Sequence, residues 1–107
     1  MSTLVRKNIN FLVLLADDSI SREQKKALLK TSSKEQLKAI VEITYNILQL
    51  QFPISKVYKS RLIKKGRDLE TITDRNKKEI ERYCFIKKKL NTVTLILRAA
   101  LPIIKSL

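Results

Sequence analysis

At 107 residues with a hydrophobic fraction of 44%, the chain has apolar material for one modest core and too much of it for disorder throughout. One Gly and two Pro are too few for an all-β protein, which needs frequent turn residues, so the composition points to an all-α fold with short connections. The formal net charge of +13 makes the chain repel itself, and an anionic partner is the expected compensation.

The elements follow in chain order. Leu4, Asn8, Phe11, Leu12 and Leu15 fall at helical spacing and predict a first amphipathic helix that Asp17-Asp18-Ser19 breaks. The two basic residues and apolar run at the start outline a signal peptide faintly. Asn8 and Asn10 interrupt the run and no small-residue cleavage site follows, so the segment reads as a helix of a protein that is not secreted. Ser21 with Gln24 fits a capping box and opens a short helix through Lys30, with Ala27, Leu28 and Leu29 as its inner side. Ser32 with Glu35, or Ser33 with Gln36, caps a longer helix ended by Phe52-Pro53. Its stripe is Leu37, Ile40, Val41, Thr44, Ile47 and Leu48, broadened by Ile43 and Leu50, and it is expected to be the most buried element.

Ser55 caps the next helix, "KVYKSRLIKKGR", which has six positive charges and no acid. Tyr58, Leu62 and Leu69 share one side of it, and Gly66 is expected to stop it as a left-handed C′ residue. Thr73 or Asp74 then starts a long helix that Pro102 kinks or ends. Cys84 on that helix reads as a small buried residue. The expected whole is a single helical domain over 1–107, a compact bundle of four to five helices. The order short (22–31), long (33–50) and another (55–65) is analogous to a histone fold at the level of helix order alone.

Charge is not spread evenly along these elements. Residues 1–20 balance (two basic, two acidic), 21–51 carry +3 (six against three), and 52–67 carry +6 with no acid. Residues 68–82 come to −1 (four against five) and 83–107 carry +5 with no acid. The middle carboxylates Asp68, Glu70, Asp74, Glu79 and Glu81 alternate with Arg67, Arg75, Lys77, Lys78 and Arg82, the pattern of an exposed, ion-paired helix rather than of an acid–base pair.

Parts for catalysis are scarce. There is no His, no glycine-rich phosphate loop, and the nearest Ser and Lys, Ser60 and Lys64, are wrongly spaced for a Ser-x-x-Lys site. A lone Cys without His offers neither an intrachain disulfide nor a metal cluster. The chain reads as a non-enzyme with no cofactor and no metal.

Binding has more support. Lys56, Lys59, Arg61, Lys64, Lys65 and Arg67, with a second cluster at Lys87, Lys88 and Lys89, are candidate contacts to nucleic-acid phosphates. No base-reading motif is visible, and Tyr58, Tyr83, Phe11 and Phe52 read as core or hinge residues rather than stacking platforms. The expectation is sequence-independent binding to double-stranded DNA, inside the cell, in a nucleus or a virion. The alternative is a helical assembly module whose basic face meets an acidic protein.

The C-terminal segment 93–107 is apolar. Val93, Leu97, Leu101 and Ile104 recur at i, i+4, i+8 and i+11, a stripe read as a homo-oligomer interface. Sixteen residues from Thr92 to Leu107, with Arg98 and Pro102 inside, fall short of the ~20 needed to span a bilayer, which leaves a membrane surface as a further partner.

The stretch "QKKALLKTSSKEQLKAIVEITYNIL" from Gln24 to Leu48, followed by "PISKVYKSRLIKK" from Pro53, resembles short basic proteins of polinton-like and adintovirus-type DNA viruses and their integrated copies in animal genomes. The matching features are the Lys-Ala-Leu-Leu-Lys-Thr turn, Lys-x-x-Leu-Lys-Ala-Ile, the Asn-Ile-Leu helix end and the Pro-Ile-Ser cap before a lysine-rich helix. They lie within residues 24–66. The resemblance implies a small virion-associated or virus-derived protein, with condensation of a genome as its role.

Overall fold

With so few glycines and prolines, the chain separates its helices by polar turns, and serine side chains cap four of the helix starts, at Ser2, Ser21, Ser33 and Ser55. The computed structural model describes residues 2–49 and 52–106 and contains, among them, eight α-helices and no strand. They are α1 (Thr3–Lys7), α2 (Ile9–Ala16), α3 (Arg22–Lys30), α4 (Lys34–Leu48), α5 (Lys56–Ile63), α6 (Gly66–Thr73), α7 (Glu79–Lys88) and α8 (Leu90–Lys105). The Cα radius of gyration is 12.7 Å, close to the ~13 Å of a compact body of this length.

Eight helices replace the expected four or five because two predicted helices are each divided and a further helix, α6, fills the span between Gly66 and Thr73 expected to separate helices. The first breaks at Asn8, whose side-chain amide donates to the Leu4 carbonyl at 2.8 Å and so competes with the helical ladder. The last does not begin at Thr73 or Asp74. Asp74 ends α6 and accepts from the Asn76 N–H at 2.9 Å in a local turn, so α7 starts only at Glu79. A second break falls at Lys89, at φ −115° and ψ 50°. Pro102 does not end the final helix; it lies exposed within α8, which runs on to Lys105.

Gly66 does not act as a left-handed stop. It is the first residue of α6, and α5 closes earlier, where the Lys65 N–H donates to the Leu62 carbonyl at 2.9 Å. Both serine capping boxes form, at Ser21 with Gln24 and at Ser33 with Gln36, and Ser55 accepts from the Tyr58 N–H.

One continuous core joins these helices. The most buried element is α8, with nine buried residues of sixteen against six of fifteen in α4. Helix α8 packs on α2, α4 and α5, while α4 also meets α1 and α6. Val93, Leu97, Leu101 and Ile104 are 0, 0, 5 and 8% exposed, so the stripe read as an oligomer interface is filled by the chain's own core. Eight helices supply enough apolar faces to cover it, and no second copy is needed to do so.

In α4 the inner face is Leu37, Ile40, Ile43, Thr44 and Ile47. Val41 is half-buried, Leu48 stands at the exposed rim, and Leu50 lies outside the described residues. In α3 the expected Ala27 is exposed, and Lys25 takes the buried position one turn before Leu29. Cys84 is exposed, because α7 turns Ile86 to the core and Cys84 lies about 200° round the helix from it. The short helices α3 and α5 pack on α8 rather than clasping α4 between them, so the short–long–short order does not bring a histone-like packing with it.

Candidate nucleic-acid interface

Helix α5 owes its shape to having almost nothing apolar to bury. Leu62 is its one buried residue, with Tyr58 half-buried a turn earlier, and both face α8. The rest of the circumference projects into solvent. Lys56, Lys59, Arg61, Lys64, Lys65 and Arg67 are all exposed, and none enters an ion pair among the described residues. The nearest approach to a partner is the Arg61 guanidinium, 6.0 Å from the centre of the Tyr58 ring.

The inward pair Tyr58 and Leu62 divides the helix into a crest and two flanks. Lys56, Ser60 and Lys64 form the crest. On one flank Lys59 and Ile63 border an apolar groove of about 490 Å³ whose floor includes Ile47, Leu62 and Leu69. On the other, Tyr58 and Arg61 border a cleft of about 450 Å³ reached also by α3 and α8.

The second lysine cluster is only partly joined to this surface. Lys89 lines the same depression as Lys64, Lys65 and Arg67, held by Asp68 at 3.8 Å and lying 5.3 Å from the Phe85 ring centre. Asp68 also accepts from the Thr92 hydroxyl at 2.8 Å and so fastens the start of α6 to the start of α8. Lys88 is exposed at the end of α7 and Lys87 is half-buried there; neither lines that depression. Consecutive helical residues point about 100° apart, so three adjacent lysines cannot share one face.

The mixed-charge segment also departs from its sequence pattern. The three ion pairs among the described residues all run between distant segments: Lys34–Glu79 at 2.9 Å, Lys89–Asp68, and Arg98–Asp18. The Lys34 ammonium holds the Glu79 carboxyl below its ordinary 4.5. Burial, then the Glu79 charge, pushes the Tyr83 phenol up to about 12. Tyr45 is the one exposed aromatic among the described residues, and the Arg75 guanidinium lies 5.6 Å from its ring centre, so no open stacking platform accompanies the basic helix.

The cleft beside Arg61 gathers residues that no linear pattern connects. Arg98 of α8 donates from Nε to the Ala16 carbonyl at 3.2 Å and pairs with Asp18, covering the C-terminus of α2. Arg22 donates to the Asn91 side chain. Lys25 lies between these elements with its stem buried. The only sign of it in the sequence is a Lys four residues before Leu29 on the inner face of an amphipathic helix, which by itself reads as an interruption.

Comparisons of the chain with models of known families, with curated proteins and with solved structures found no match. No helix of the described residues is long and apolar enough to cross a membrane.

Proposed function

We propose that the protein is a non-catalytic, sequence-independent binder of double-stranded DNA, suited to coating and condensing a genome. The observation that carries this reading is the basic surface from α5 to the start of α6: six exposed cations that enter no ion pair among the described residues, Lys56, Lys59 and Arg61 on α5, Lys64 and Lys65 in the turn that follows, and Arg67 in the first turn of α6. Cations facing several directions suit contact with phosphates on both sides of a groove better than reading of base edges. A role in a virus or an integrated viral element is the part of the reading that rests on the resemblance of residues 24–66.

The test is binding of random-sequence duplex as a function of salt. About six phosphate contacts give a log–log slope near −5, a loss of roughly 10³ in affinity from about 50 to 200 mM salt. Changing Lys56, Lys59, Lys64, Lys65 and Arg67 together to Glu should abolish binding and leave the helical spectrum and melt intact. Binding that survives both the reversal and high salt overturns the proposal, and a strong preference for one base sequence overturns its sequence-independent part.

A further inference from the structure

The cleft bounded by α3, α5 and α8 has a charge balance unlike that of an ordinary polar surface. Four cations line it, Arg22 and Lys25 from α3, Arg61 from α5 and Arg98 from α8, against the single carboxylate of Asp18. That carboxylate is already engaged by Arg98. Lys25 is 6% exposed, and its ammonium makes no ion pair or hydrogen bond among the described residues. The other nearby acid, Asp17, is held in a local turn, accepting from the Ser19 N–H at 2.9 Å and its hydroxyl at 2.8 Å; these bonds, and more weakly the Lys25 charge, hold its carboxyl below the ordinary value.

The Lys25 stem is buried and its ammonium shares the cleft with three arginines, so four like charges face one carboxylate that is already taken. An anion in the cleft relieves that repulsion. We propose that this cleft is a binding site for a phosphate group, with Lys25 at its base and Arg22, Arg61 and Arg98 around it. Arginine forks and a lysine point charge are the groups that recognise phosphate oxygens, and Asn91, Tyr58 and Thr94 line the same space with further hydrogen-bonding groups. Ile20, Leu90 and Leu95 form an apolar wall beside the cations, so the volume of about 450 Å³ accepts an organic phosphate rather than only a bare ion. The phosphate can belong to a small molecule or to a nucleic-acid backbone seated on α5. The assignment of the cleft does not depend on the DNA-binding reading.

Inorganic pyrophosphate is the probe, titrated by calorimetry and by thermal melting against the full chain and Lys25→Met. Methionine fits an apolar, buried position, so the variant should melt at or above the wild-type temperature without ligand. Pyrophosphate should raise the wild-type melting temperature and bind it at least tenfold more tightly than it binds Lys25→Met. Lys26→Met, a change at an exposed neighbour, should leave pyrophosphate binding unchanged. Equal binding by wild type and Lys25→Met, or no binding by wild type at millimolar pyrophosphate, overturns the proposal. Repeating the titration with the five-residue α5 reversal, which keeps Arg61, separates the two sites: the cleft should still bind pyrophosphate when duplex binding is gone. Competition between duplex and pyrophosphate on the wild type assigns the cleft to backbone phosphate, and independent binding assigns it to a small organic phosphate.

Discussion

Helices α5 and α8 touch, and they use their residues in opposite ways. Helix α8 buries nine of its sixteen residues and packs against α2, α4 and α5, while α5 buries Leu62 alone, half-buries Tyr58 and shows its other side chains to solvent. One helix holds the protein together and the other is held in place by it. The contrast teaches that charge density and structural importance are separated in this chain: cations can be exchanged on α5 at little cost in stability, whereas α8 has almost no position to spare.

The largest expected effect lies in α8. Leu97→Asp, or Ile43→Asp on the facing α4, places an unpaired charge in the core and should cost about 3–5 kcal/mol or more, a large part of a typical total of roughly 5–15 kcal/mol. Loss of the cooperative thermal transition is the expected result, while Leu48→Asp, at the exposed rim of α4, should keep it. A normal melt for Leu97→Asp would break the contrast at its stronger end.

Deleting residues 99–107 tests the same helix differently. The deletion removes Ala99, Ala100, Leu101 and Ile104, all buried within the chain. It should therefore abolish folding, read as loss of the melt and of chemical-shift dispersion. A truncated chain that stays folded and changes only its oligomeric mass would restore the stripe as an interface between copies.

On α5 the corresponding change is smaller and local. Leu62→Ala should cost about 2–4 kcal/mol by removing the helix's single anchor. Hydrogen exchange should then speed up across residues 56–63 more than across 90–105, because α5 can open without the core. Uniform acceleration over both helices would show that α5 belongs to the global folding unit.

The smallest effect concerns pH. Glu79 carries a depressed carboxyl, held by Lys34, so its contribution is complete above its ordinary 4.5 and is lost as pH falls through the lower folded value. The pair is exposed, so the loss should be slight. Acid titration of the melting temperature should show a slightly smaller decline below about pH 4.5 in Glu79→Gln than in wild type. An equal decline would mean that the pair contributes nothing measurable.

Much of the local structure was legible in the sequence. The serines at 21, 33 and 55 announced three helix starts, because an N-cap needs only residues within one turn of itself. The apolar repeat at Val93, Leu97, Leu101 and Ile104 announced a buried face for a similar reason. Helix ends were less legible. Asn8, Asp74 and Lys89 break helices through local hydrogen bonds and backbone turns that compete closely with helix continuation.

What the sequence by itself determined is that the chain is helical, that it has an apolar interior, and that residues 52–67 carry charge with no acid among them. These are properties of composition and of contacts within a turn or two. Only the tertiary structure decided which surface covers the Val93–Ile104 stripe, which acids leave Lys56–Arg67 unpaired, and that Arg22, Lys25, Arg61 and Arg98 meet in one cleft. Those outcomes depend on packing between residues as far apart as 82 positions, from Ala16 to Arg98, and no periodicity along the chain encodes a distance across it.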